Sequence, residues 1–176
     1  MGNQRPLRRL TPADLKGAAL DYLDRFAATR ARLRQVMLRK IRNSVRLHGD
    51  EPEPLIAALD QAIAWLEERG FLSDRAYAEA KARTLSARGT SRAHIVANLA
   101  TKGVAVDVAR EAVDRLSLEY QEPELEAARR YARRRRLGPY RHDARAECRT
   151  KDLAAMARAG FAGRIARQVI DAEQDA

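Results

Sequence analysis

Glycines close almost every apolar run in this 176-residue chain, and that punctuation restricts the fold more than any other feature. Gly49, Gly70, Gly89, Gly103, Gly138 and Gly160 each stand just past a stretch whose apolar residues recur every three or four positions. A glycine there supplies the left-handed turn that ends a helix. Strand signals are almost absent: no window alternates apolar and polar residues with β-branched enrichment, and no Asn-Gly or Asp-Gly joins two such runs. The pattern predicts an all-α protein of nine short helices, over about 12–27, 29–47, 55–69, 73–87, 91–102, 105–118, 121–137, 141–159 and 162–171. Thr11 followed by Pro12, and the serines Ser73 and Ser91, mark N-caps. The segment Asp50-Glu51-Pro52-Glu53-Pro54 reads as an acidic loop that stops the second helix.

Regular stops suggest repeats. Sliding the sequence on itself by 57 residues lays Gly103-Val104-Ala105 on Gly160-Phe161-Ala162, Leu99 on Met156 and Val113 on Ile170. A shift of 62 lays Thr29, Leu33 and Met37 on Ser91, Ile95 and Leu99. The expectation is three units of three helices each: 11–70, which carries the acidic insertion 50–54, then 71–118 and 119–172. Such units bury their apolar faces by stacking on their neighbours as a solenoid. Leu66, Leu99 and Ile165 should then lie between helices.

Charge follows the same rhythm. Basic residues outnumber acidic ones 34 to 24, for a net charge of +10, and 29 of the 34 are Arg. Residues 30–49 carry +7, 50–80 carry −6, 81–103 carry +5, 104–128 carry −5 and 129–167 carry +10. In a stacked array the basic stretches would line one side, which fits an elongated acidic partner. Arg suits phosphate and carboxylate better than Lys, because its planar fork binds them through two bonds.

Other classes are poorly served. The one cysteine, Cys148, excludes a disulfide framework and points to a reducing cytoplasm. His48, His94 and His142 are far apart and form no metal motif, and no Gly-rich phosphate loop or nucleophile elbow occurs. The expectation is therefore no enzyme, no cofactor and no metal. No apolar run is long enough to span a bilayer, and the Arg8-Arg9 pair lacks the apolar segment an export signal requires.

Three basic groups are candidate binding residues. Arg32, Arg39, Arg42 and Arg46 fall within about 80° of one another on a helix and opposite Leu33, Met37 and Ile41, with no acidic residue between Ala27 and His48. A merely solvated face usually mixes Glu with Arg to form pairs one turn apart. Lys81, Arg83, Arg88 and Arg92 make the second group. Arg129, Arg130, Arg133, Arg134, Arg135 and Arg136 make the third, where six like charges in two turns repel one another and call for an anionic partner. Glu122, Glu124 and Glu126 can pair with part of it, and Tyr131 and Tyr140 are weak candidates for base stacking. Trp65 reads as a packing anchor.

The segment Glu67-Glu68-Arg69-Gly70-Phe71-Leu72-Ser73-Asp74-Arg75-Ala76-Tyr77-Ala78 resembles the signature of the RecX family of recombinase regulators. Ala82-Arg83, Arg88-Gly89-Thr90-Ser91-Arg92, Ile95, Leu99 and Lys102-Gly103-Val104 resemble the continuation of its second repeat, and Arg158-Ala159-Gly160-Phe161 resembles its third. Ala19-Leu20-Asp21-Tyr22-Leu23 is similar to the opening of its first. Ala28-Thr29-Arg30 stands where many members have Arg-Ser, and Ser73 replaces an Asp or Asn. The resemblance implies an elongated, curved, monomeric array of three three-helix repeats that lodges in the groove of the RecA–DNA filament. There it would suppress ATP hydrolysis, strand exchange and the SOS coprotease activity. Charge alone leaves a second reading open, a helical repeat protein that binds single- or double-stranded DNA without sequence preference.

Overall fold

The computed structural model describes residues 9–173, and among them the backbone forms nine α-helices, one short 3₁₀ turn and no strand. The helices are α1 (Pro12–Arg25), α2 (Arg30–His48), α3 (Pro52–Glu68), α4 (Asp74–Ala87), α5 (Arg92–Thr101), α6 (Val106–Glu119), α7 (Pro123–Arg135), α8 (Arg145–Arg158) and α9 (Gly163–Ile170), with the 3₁₀ turn at Gly138–Tyr140. Arg8 lies outside the described residues. Two boundaries correct the sequence reading. Helix α3 begins at Pro52 rather than Leu55, so part of the acidic insertion is its first turn. Proline fits there, because its fixed φ suits a helix start and the first amides have no partner within the helix. Helix α8 begins at Arg145 rather than Arg141, because the chain after the 3₁₀ turn is held extended at Arg141 (φ −79°, ψ 140°).

The chain divides into two compact units, one reaching to Tyr77 and the other starting at Ala78. In the first, Leu15 and Ala19 of α1, Leu33, Val36, Met37 and Ile41 of α2, and Leu55, Leu59, Ile63 and Leu66 of α3 form one core closed by Leu72. In the second, α5 and α6 bury Ile95, Leu99, Ala109, Val113 and Leu116. Around α7 and α9, Leu125, Ala128, Ala132, Met156, Phe161, Ala166 and Ile170 form a further cluster. The three residues expected between helices are buried, Leu66 and Leu99 completely and Ile165 to within 9 %.

Both internal alignments have a structural counterpart. At the shift of 62, Thr29 and Ser91 are each 1 % exposed N-caps whose hydroxyls accept from the backbone N–H three residues on, at 3.1 and 3.3 Å. The N–H of the next residue goes to an acidic side chain that opens another helix: Arg30 N–H to Asp74 Oδ1 at 2.7 Å, and Arg92 N–H to Glu124 Oε2 at 3.0 Å. At the shift of 57, Gly103 and Gly160 both adopt left-handed backbone, and Val104 and Phe161 bond back to Leu99 and Met156. Gly160 is required twice over. Its φ is +79°, and a Cβ there would meet the Ser91 hydroxyl at 2.7 Å. That hydroxyl donates to the Ala159 carbonyl, tying the α8–α9 turn to the start of α5.

Candidate partner-binding surface

In the first unit, α2 separates its side chains by direction. Leu33, Val36, Met37 and Ile41 are buried, while Arg32, Arg39, Arg42 and Arg46 are exposed on the opposite side. The helix also carries Arg30 and Arg34, which turn toward α3 and pair with Glu67 at 3.0 Å and Asp60 at 3.1 Å. Arg32 donates to Gln35 at 2.8 Å. Arg39, Arg42 and Arg46 make no hydrogen bond or ion pair among the described residues. Three of the four arginines grouped in the sequence thus form a cationic face with no internal hydrogen bond or ion pair among the described residues.

The second group in the sequence does not stay together as a free surface. Arg83 grips Glu119 through two bonds of 2.7 and 2.8 Å, and that fork drives Glu119 below the ordinary carboxylate range. Arg92 pairs with Asp114, and Arg115 pairs with Glu79 at 3.1 Å. Lys81 is half-buried and Arg88 is exposed. The +5 and −5 stretches are consecutive, and the helices packed from them neutralise each other through these pairs.

In the third group, Glu126 holds Arg129 at 2.6 Å one turn away. The Arg133 guanidinium lies over the Tyr140 ring at 5.2 Å, and that of Arg134 over Tyr131 at 5.7 Å. Arg134 also donates to the Arg88 carbonyl, which brings the second and third groups into contact. Glu124 is not a partner of the cluster: it caps α5, and burial raises its pKa against the opposing pull of Arg92. Tyr140 and Tyr131 support arginines rather than presenting free rings, so neither serves as the open platform considered from the sequence. Arg130, Arg135 and Arg136 carry no hydrogen bond or ion pair among the described residues.

Two features escaped the sequence reading. Asp152, 1 % exposed, accepts the fork of Arg141 through two bonds of 2.9 Å and the Gly138 N–H at 2.8 Å. Burial pushes its pKa up, and these three bonds together outweigh burial and hold it below the ordinary value. The pair fixes the 3₁₀ turn that carries Tyr140. Trp65, half-buried, packs against the first core as expected, and its outer side also carries an exposed stack. Phe71, 57 % exposed, lies against its ring at 5.8 Å, and Lys16 Nζ sits 3.4 Å from the ring centre. The Gly-aromatic step after α3 was a signal for this exposed ring. Among the described residues no group of three His, Cys, Asp or Glu could hold a metal, and no helix is long and apolar enough to cross a membrane.

A regulatory protein RecX from Myxococcus xanthus is 43 % identical over 172 residues, spanning 97 % of this chain and 90 % of that one. This chain belongs to the RecX family. The family model for the RecX second three-helix domain matches residues 73–113. A regulatory protein RecX from Agrobacterium fabrum is 31 % identical over 88 % of this chain and 80 % of its own. The RecX crystal structure from Lactobacillus salivarius superposes with a TM-score of 0.66 at 22 % identity, covering 91 % of this chain and 94 % of that one. A further RecX crystal structure gives 0.67 at 21 % identity over 92 % and 74 %. The all-helical RecX fold and a regulatory family follow from these likenesses.

Proposed function

We propose that this protein restrains the RecA recombinase by binding in the groove of the RecA–DNA filament, suppressing ATP hydrolysis, strand exchange and the coprotease activity of the SOS response. The observation that carries the reading is the α2 face: three exposed arginines with no partner among the described residues, in a chain whose relatives are regulatory RecX proteins. We read the nine helices as three repeats, 11–70, 71–118 and 119–172, acting as a monomer in the cytoplasm. Inhibition of this kind needs binding energy and no catalytic group. Each unit offers its own cationic surface, and a long partner engaged by both would bind far more tightly than either surface alone.

The test is the ATPase rate and filament assembly of the cognate recombinase with this protein added. Inhibition by the natural chain, abolished by Arg39→Glu with Arg42→Glu at unchanged helicity, supports the reading; full inhibition by that variant overturns it. The unpartnered Arg130, Arg135 and Arg136 favour a second reading, sequence-independent binding of DNA alone. Counterion release would then cut affinity for bare DNA by orders of magnitude over a modest rise in salt. A protein partner leaves a salt-resistant remainder. Because Ser91 and Arg92 bond to Ala159 and Glu124, removing everything after Leu118 would cut into the second unit's own fold, so charge reversal is the cleaner probe.

A further inference from the structure

A cleft of about 650 Å³ opens in the second unit between α7, the 3₁₀ turn and α9. Its size lies in the range that small-molecule sites occupy. On one side stand the guanidiniums of Arg129, Arg130 and Arg133; on another, Pro139 and Val169 supply apolar wall; Glu126 and Glu173 add two carboxylates. Arg129 is engaged by Glu126, whereas Arg130 and Arg133 have no carboxylate partner among the described residues. They are one turn apart on the same helix face. Stacking on Tyr140 restrains the Arg133 plane before any ligand arrives, which lowers the entropy lost on binding.

A surface made only to attract polyanions has no use for carboxylates or for apolar wall. A nucleotide uses all three kinds of group. Its phosphates take paired guanidiniums, its sugar hydroxyls donate to carboxylates, and its base lies against apolar surface. We infer that this cleft binds a free nucleoside diphosphate or triphosphate, with Arg130 and Arg133 on the phosphates and Glu126 or Glu173 facing the sugar. The inference stands apart from the recombinase reading, because it concerns the isolated chain.

The test is titration calorimetry of the full chain at physiological salt with adenosine diphosphate, inorganic pyrophosphate and adenosine in turn, beside amide NMR spectra of the natural protein. The expected result is saturable one-to-one binding of the diphosphate, with pyrophosphate at least about tenfold weaker, adenosine not bound, and amide shifts confined to residues 126–140 and 169–173. Arg130→Gln with Arg133→Gln should raise Kd by about tenfold or more, a change of about 1.4 kcal/mol or more. Pyrophosphate binding as well as the diphosphate would mean that only phosphate is read, and would overturn the inference. So would no saturation, an unaffected variant, or shifts elsewhere in the chain.

Discussion

Helix α2 in the first unit and the α4–α6 helices of the second draw on the same residue, arginine, for opposite purposes. On α2 the side chains of Arg39, Arg42 and Arg46 are exposed and make no hydrogen bond or ion pair among the described residues. In the second unit Arg83 and Arg92 are spent on Glu119 and Asp114 of the helix beside them, and deeper still Arg141 closes over buried Asp152. Local positive charge is therefore a poor guide to a binding surface. What distinguishes a surface from a brace is whether a carboxylate is within reach after folding.

The sharpest way to break this distinction is to attack the buried brace. Asp152→Ala should lose about 3 kcal/mol of stability, because it removes a buried carboxylate that accepts from the 3₁₀ turn's Gly138 N–H and from the Arg141 fork. Chemical denaturation measures it, and a loss near zero would place the pair among the ornaments of the surface. The same pair predicts a pH dependence. Asp152 has a folded pKa below its unfolded value of about 3.9, so its contribution is full above that value and disappears as pH falls through the lower folded one. Melting curves of the natural chain should fall more steeply with acid than those of Asp152→Asn.

Next in size is the effect on the outward face. Arg39→Glu with Arg42→Glu should weaken recombinase filament binding by roughly tenfold to a hundredfold, about 1.4–2.7 kcal/mol. The melting temperature should not move, since both side chains are exposed and neither makes a hydrogen bond or ion pair among the described residues. The smallest effect belongs to Arg83→Ala. Its pair with Glu119 is exposed at both ends, with side chains 43 % and 36 % accessible, and salt screens such pairs. Filament affinity should be unchanged and melting slightly lower. A binding loss equal to that of the α2 variant would erase the contrast between the two regions.

These outcomes bear on how far the sequence alone could be read. Helix number and type were legible, because glycine stops and apolar spacing are local signals. The start of α3 was not, since Pro52 and Pro54 break a helix interior but suit its first turn, and only position distinguishes the two. The α2 face was legible because its lack of acidic neighbours is itself a local fact. The fate of Arg83 was hidden, for its partner stands 36 residues away. The buried setting of Asp152 was hidden likewise. Lys151 before it and Leu153 after it do not mark a buried acid, and its contacts with Gly138 and Arg141 lie 14 and 11 residues away.

The amides of Arg30 and Arg92 find their acceptors in Asp74 and Glu124, each of which opens a later helix. Synthesis runs in the other direction. As the chain leaves the ribosome, α2 emerges before Asp74 and α5 before Glu124, so each helix waits with an unmet donor at its start until the following segment arrives. Assembly is thereby given an order of events: the start of α2 is fully secured only once translation has passed Asp74, and that of α5 only once it has passed Glu124. A pulse of protease during synthesis should find the α2 start cleavable in nascent chains that stop before Asp74 and protected in those that extend well past it.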